Sequence, residues 1–182
     1  MIPLVTLGHG TLAAGPLAEL LRSADVHRVV DVRTAPGSRH NPDMVRDAMT
    51  RWLPEHGVGY RWEQRLGGWR RDPPDSPDTA LRNRSFGGYA AHMRTSGFRT
   101  AVDELLAGAR AERTAVLCSE AVWWRCHRRL IADFAACVRE VPVEHLMHDG
   151  RLVPHPPTDG VRLREDGLLV YDVVRTPSPG TG

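Results

Sequence analysis

The chain has 182 residues, of which 41% are hydrophobic and 25% are charged, and its formal net charge is +2. These values are typical of an ordinary globular domain with a full hydrophobic core, and so small a net charge is no sign of a strongly basic nucleic-acid-binding surface. All 24 basic residues are arginine, which excludes chemistry that needs a lysine Schiff base or a lysine general base.

No targeting or membrane-spanning segment is predicted. The sequence lacks an apolar run near the ~20 residues that cross a bilayer, and its N-terminus lacks the features of a signal peptide. We therefore expect a cytoplasmic protein without a membrane partner, and the sequence leaves its oligomeric state open. The three cysteines, Cys118, Cys126 and Cys137, are an odd number in such a chain, so we expect reduced thiols.

Apolar runs and helical spacing predict alternating strands and helices. Strands are expected over residues 3–7, 28–32, 59–62, 114–117 and 143–146, with an edge strand over 168–174. Helices are expected from a cap at Thr11, from Asn41-Pro42 to about Gly57, and over 89–94, 96–110 and 126–139. The Gly- and Pro-rich stretch 63–88 is predicted to be a mobile lid or substrate loop.

This alternation predicts an α/β fold, a three-layer open and mostly parallel sheet of about five strands with helices on both faces. We expect a single domain over residues 1–175 and a disordered tail over 176–182. Polar residues follow the ends of several strands: His9, Asp31, Arg33, Glu63 and the run from Cys118 to Glu120. Because parallel strands end at one edge of a sheet, these residues are expected to converge there.

Cys126 and His127 are predicted to stand at a helix N-terminus, where free amides and the helix dipole favour a thiolate or a bound anion. Two interpretations remain open, a nucleophilic Cys126 (or Cys118) and a buried, inert cysteine. A metal site that uses Cys118, Cys126, His127 and His9 is a third possibility, but the spacing has no Cys-x-x-Cys or His-Glu-x-x-His signature, so neither a metal nor another cofactor is expected.

Glu120 and Asp31 are predicted to form a two-carboxylate site. Cleavage of an N-glycosidic bond needs a carboxylate that stabilises an oxocarbenium-like centre or activates water. The alternatives are ion pairs, of Glu120 with Arg125 or Arg128 and of Asp31 with Arg33 or Arg39. His9 is interpreted as a general base or as a residue that satisfies loop backbone groups.

Aromatic residues interleave with arginines in a way that suits stacking on bases as well as core filling. Trp62 and Trp69 flank several arginines, and Trp123-Trp124 precede the Cys126-His127 pair.

Several spaced motifs resemble the DUF488 family over about residues 1–155. They are Thr6-Leu7-Gly8-His9-Gly10, Val30-Asp31-Val32-Arg33, Pro36-Gly37-Ser38-Arg39 with Asn41-Pro42, Leu66-Gly67-Gly68, Phe86-Gly87-Gly88-Tyr89-Ala90-Ala91-His92-Met93, and Leu117-Cys118-Ser119-Glu120 with Cys126-His127-Arg128. The resemblance implies a compact α/β domain without a general assigned activity. The family's usual Gly-His-Ser is Gly-His-Gly here, and Thr11 is the nearest substitute for the missing hydroxyl.

We expect an enzyme that processes a nucleotide or nucleic-acid base, with N-glycosidic hydrolysis as the leading reaction. The expected catalytic residues are Glu120, Asp31, His9, His127 and Cys126. The expected substrate contacts are Arg33, Arg39, Tyr89, Cys118, Ser119, Trp124 and Arg128. A thiol-dependent enzyme that uses Cys126 or Cys118, and a non-catalytic module that binds a nucleotide or nucleic acid, are the alternatives.

Overall fold

The computed structural model describes residues 1–173, which form eight strands and five helices. The strands are β1 (Leu4–Gly8), β2 (Arg28–Asp31), β3 (Gly59–Trp62), β4 (Thr114–Cys118), β5 (Val143–Leu146), β6 (Leu152–Pro154), β7 (Val161–Leu163) and β8 (Leu169–Tyr171). The helices are α1 (Ala14–Ser23), α2 (Arg46–Glu55), α3 (Arg84–Met93), α4 (Ser96–Ala111) and α5 (Arg128–Arg139). The predicted disordered tail falls in residues 174–182, outside the described part.

Six strands form the main sheet, in the order β3-β2-β4-β1-β5-β6. Neighbours from β3 to β5 pair in parallel, and β6 adds an antiparallel edge. The α/β class and the mostly parallel sheet are therefore confirmed, with one strand more than the five expected. The strand predicted within 168–174 is present as Leu169–Tyr171, but its expected place at the edge of the main sheet is wrong, because it pairs with Val161–Leu163 in a separate two-stranded sheet.

Side chains of the central strands alternate between two cores, which puts helices on both faces of the sheet. Val5, Leu7 and Leu117 join the core under α1 and α2. Val116 and Cys118 join the opposite core, under α3, α4 and α5. Cys118 consequently points to the side of the sheet from which α5 begins.

Four predicted helix starts are wrong. Helix α2 begins at Arg46 and not at Asn41-Pro42, because a separate 3₁₀ turn over Pro42–Met44 precedes it. Helix α3 begins at Arg84 and not at residue 89, so its first turn lies in the stretch 63–88 that was predicted as a loop. Helix α1 begins at Ala14, not at Thr11, because Pro16 has no N–H to donate to the carbonyl of Leu12 in an earlier turn. Helix α5 begins at Arg128 and not at Cys126, since Cys126 has extended backbone after a short 3₁₀ turn over Trp123–Arg125. Cys126 and His127 thus lie just before the helix.

The order of strands places the functional edge between β1 and β4. These two strands are adjacent, yet β1 leads to α1 on one face and β4 leads to α5 on the other. Diverging connections leave a crevice at the carboxyl ends of the strands, where open α/β sheets bind their ligands. Within residues 1–173, none of the helices has the length and apolarity needed to cross a bilayer.

Candidate active site

A cavity of about 430 Å³ opens at this edge. It is lined by eight of the residues predicted from the sequence, His9, Arg33, Tyr89, Cys118, Ser119, Glu120, Cys126 and His127. Four other predicted site residues, Asp31, Arg39, Trp124 and Arg128, do not line it. The expected convergence of strand ends therefore produces one cavity, with a reduced set of residues.

Asp31 is wholly buried and its carboxylate is fully engaged. Oδ1 accepts from the backbone N–H and the Nε of Arg33, at 3.0 and 2.9 Å. Oδ2 accepts from Arg33 Nη2 at 2.6 Å and from the Tyr60 hydroxyl at 2.8 Å. The predicted two-carboxylate site does not form in this arrangement, because Asp31 anchors Arg33 and has no access to a substrate.

His9 is likewise held by its neighbours. Its Nδ1 donates to the carbonyl of Gly10 at 2.9 Å, and its Nε2 lies 3.3 Å from Arg33 Nη1. Burial, with the adjacent Arg33 charge, lowers the pKa of His9. A neutral ring of this tautomer accepts from Arg33, so His9 orients the guanidinium that lines the cavity.

Three potential ligand atoms gather at Cys118, Cys126 and His127. Nδ1 of His127 lies 4.0 Å from the Cys118 sulfur and 3.8 Å from the Cys126 sulfur, and all three atoms lie within 4.8 Å of one another. Both cysteines are buried, at 6% and 4% exposure. His127 follows Cys126 directly, but Cys118 reaches the cluster from the end of β4.

The two thiols differ in acidity. A hydrogen bond from Cys126, opposed by burial and aided by His127, lowers the pKa of Cys118 well below its usual range. The same hydrogen bond, together with burial, raises the pKa of Cys126. The two pKa directions thus favour Cys118 as the more acidic thiol, whereas the sequence pointed first to Cys126.

Arg128 stabilises the loop that joins the two cysteines. Its buried guanidinium donates to the carbonyl oxygens of Glu120 and Ala121. The Glu120 carboxylate is bound differently, since its Oε1 accepts from the N–H of Val122 at 3.0 Å. Arg128 is therefore a loop anchor, and the exposed residue Glu120 lines both the cavity and a neighbouring depression.

The turn after β1 has room only for glycine at two positions. A Cβ on Gly8 would lie 1.8 Å from the carbonyl oxygen of Glu120. Gly10 has φ +54° and would place a Cβ 3.0 Å from the His148 ring. Serine is therefore strained at position 10, and Thr11 lines a neighbouring depression instead of the main cavity.

Several cavity residues were not among the predicted site residues: Thr34, Ser38, Gly68, Trp69, Asn83, Phe86 and Arg125. Trp69 is 86% exposed and has φ +58°, a conformation uncommon for a non-glycine residue. The interleaved tryptophans and arginines were the signal for Trp69. Part of the predicted lid thus contributes to the wall, and its mobility stays a prediction.

A second polar network lies beside the cavity and had no signal in the sequence. The Nδ1 of His145 hydrogen-bonds the Thr6 hydroxyl at 2.6 Å, and its Nε2 lies 2.9 Å from His155 Nδ1. His155 Nε2 in turn lies 2.9 Å from Asp133 Oδ1. Trp123 stacks on His145, with ring centroids 4.0 Å apart. The network joins β1, β5 and α5 beneath the loop that carries Cys126.

The fold and site define an α/β protein with a thiol-containing cavity, of mixed polar and apolar lining, at the carboxyl edge of a mostly parallel sheet. The chain belongs to the DUF488 family, which is described as a domain of unknown function. The family model matches residues 15–135. That span contains Cys118, Cys126 and His127 but begins after His9. Neither a curated protein nor a solved structure matches the chain.

Proposed function

We propose that this protein is an enzyme that processes a nucleotide or a nucleic-acid base in the cavity, by hydrolysis of an N-glycosidic bond. The observation that carries the proposal is Trp69, an 86% exposed indole held at the cavity by an unusual backbone conformation. An exposed aromatic face in a cavity of mixed polar and apolar lining suits stacking on a base, which contributes about 1–3 kcal/mol per base.

Charge supports the same class of substrate. Arg33 and the exposed Arg125 both line the cavity. Guanidinium groups bind phosphate oxygens in a bidentate manner, so Arg125 would offer a nucleotide a cationic contact beside the stacking surface. Arg33 contributes less, because Asp31 and His9 already occupy most of its donors. A cavity of about 430 Å³ lies within the size range of small-molecule sites.

Glu120 supplies the carboxylate in this proposal. It is the predicted acidic catalytic residue that lines the cavity, and it is exposed. The carboxylate takes a proton from the attacking water or stabilises the positive charge that develops on the sugar. Asp31 has a positioning role only, through Arg33.

The test is a mass-spectrometric screen of nucleosides, nucleotides and modified DNA oligomers for release of a free base. The proposal predicts turnover by the wild-type protein and a loss of about 100-fold or more in Glu120→Gln, the usual scale of a general acid–base contribution. Glu165→Gln is the matched control, because Glu165 is exposed and does not line the cavity. Intact substrates throughout would contradict the proposal.

The same variants separate the two alternative functions. A thiol-dependent enzyme would keep its turnover in Glu120→Gln and lose it in Cys118→Ser. A binding module would show affinity without turnover in every variant. We also propose a cytoplasmic location, in agreement with the three unpaired cysteines.

A further inference from the structure

The floor of the cavity has the donor set of a metal site. Two thiol sulfurs and one imidazole nitrogen converge there from two different elements, the end of β4 and the residues before α5. A tetrahedral zinc ion, with bonds of about 2.3 Å to sulfur and about 2.0 Å to nitrogen, places such ligand atoms about 3.6 Å apart. The distances of 3.8 and 4.0 Å from His127 Nδ1 to the two sulfurs need to contract by only a few tenths of an ångström.

The orientation of His127 suits a metal ligand. Its Nε2 lies 3.2 Å from the carbonyl oxygen of Val32, and a carbonyl can only accept, so Nε2 carries the proton. When the ring is neutral, its lone pair is on Nδ1, the nitrogen that lies near both sulfurs. Metal-bound histidines usually donate their other ring N–H to a carbonyl or carboxylate in this way.

Neighbouring groups fix the ring and the loop. Tyr89 packs against the His127 ring, with centroids 4.9 Å apart, and its hydroxyl is tied to the Leu66 carbonyl. A Cβ at Gly68 would lie 3.0 Å from His127 Nδ1, so glycine is needed for that close approach. Arg128 adds a buried positive charge near the cluster, which complements two thiolate ligands.

We propose that Cys118, Cys126 and His127 bind one Zn²⁺, whose fourth coordination position faces the cavity. Structural zinc sites are closed by four protein ligands, whereas catalytic sites have three and leave one position for water or substrate. All three residues line the cavity, so an open position there is accessible to solvent. Only the use of this zinc in hydrolysis rests on the proposed function, because metal binding is independent of it.

The spacing explains why the sequence gave no metal signature. Seven residues separate Cys118 from Cys126, in contrast to the two of a zinc ribbon. The intervening loop is folded back by the bonds from Arg128 to Glu120 and Ala121. The sequence named the cluster as a possible metal site without expecting a metal, and we reverse that expectation because of the tertiary arrangement of its residues.

The experiment measures metal content in the full-length protein, purified without a histidine tag or chelator. Mass spectrometry of the dissolved metal is expected to find about one zinc per chain after dialysis against Zn²⁺. Cys118→Ser and Cys126→Ser should each lose most of it, and Cys137→Ser should retain it. Cys137 is the matched control, since it lies in α5 outside the cluster.

If the cysteine variants fail to fold, a second measurement on the wild-type protein still tests the zinc site. Replacement of zinc by Co²⁺ is expected to give the sulfur-to-cobalt charge-transfer absorption of a thiolate complex and the visible bands of tetrahedral cobalt. Less than a tenth of an equivalent of zinc, without cobalt absorption, would overturn the proposal. So would a Cys118–Cys126 disulfide, or two freely alkylated thiols, in zinc-saturated native protein.

The zinc site and the proposed hydrolase activity can fail independently of each other. Stoichiometric zinc without base release would leave the metal site standing and remove the hydrolase. Base release by a protein that binds no zinc would do the reverse.

Discussion

Arg33 holds both carboxylate oxygens of Asp31 in a buried ion pair, two residues apart along the chain. The pair presents the other side of the guanidinium to His9 and the cavity. Asp31, which the sequence predicted to be catalytic, therefore serves to hold the Arg33 side chain at the cavity.

Asp31→Asn should lower the free energy of unfolding by about 3–5 kcal/mol, because it leaves the Arg33 guanidinium buried without its counter-charge. Urea denaturation followed by circular dichroism measures this loss. Asp172→Asn is the control, since it breaks a similar bidentate pair with Arg162 at the surface and should leave stability essentially unchanged. If Asp31→Asn keeps its stability but loses activity, Asp31 is a catalytic residue and not only an anchor for Arg33.

Trp69→Ala should weaken the binding of adenosine monophosphate or a short single-stranded oligonucleotide by about 1–3 kcal/mol, through the loss of a stacking surface. Isothermal titration calorimetry gives the affinities. Trp124→Ala removes another exposed tryptophan, 49% accessible but outside the cavity, and should have little effect. An equal loss of affinity in the two variants would mean that Trp69 does not stack on the base in the cavity.

The stability of the protein should fall steeply in mild acid because of His145. Burial, together with the charges of His155 and Arg128, lowers the pKa of His145 to about 3. The unfolded chain has the ordinary value of about 6.5, so between these two pH values it binds more protons than the folded state does. The unfolding free energy therefore decreases as the pH falls from about 6.5 toward 3.

His145→Gln should flatten this dependence, as measured by thermal unfolding at a series of pH values. His56→Gln is a suitable control, because His56 is exposed at the end of α2. The lowered pKa of His9 contributes in the same direction, so some slope should remain. An unchanged slope in His145→Gln would show that this histidine is not the acid-sensitive group.

Gly8→Ala should destabilise the fold by about 3 kcal/mol or more, the scale of severe core disruptions, because its Cβ would collide with the Glu120 carbonyl. Gly15→Ala, in the first turn of α1 with open space around it, should instead raise stability by about 0.5 kcal/mol. Thermal melts of the two variants provide the comparison. Tolerance of alanine at position 8 would contradict the close approach of β1 to the cysteine loop.

Local patterns predicted the strands well, since buried runs such as Thr114–Cys118 and Val143–Leu146 carry their own signal. Helix starts were less accurate, because they depend on a single proline or a 3₁₀ turn, as at Pro16 and Cys126. The pairing of β7 with β8 was missed, since three-residue strands have too few side chains to show a period.

The site was predicted in part. The ends of parallel strands placed His9, Cys118 and Glu120 at one edge, and the structure brings them to one cavity. The distance from Cys118 to His127 depends on how the loop folds around Arg128, which no spacing in the sequence encodes. The Asp31–Arg33 ion pair was one of two interpretations that the sequence left open.

Anomalous X-ray diffraction at the zinc edge tests the Cys118, Cys126 and His127 cluster at the cavity floor most directly. Crystals of the zinc-saturated protein should show one strong peak about 2.3 Å from the sulfurs of Cys118 and Cys126 and about 2.0 Å from Nδ1 of His127. Its fourth neighbour should be a water or ligand in the cavity. A map without a peak there, with the two sulfurs joined in a disulfide or facing apart, would contradict the proposed zinc site.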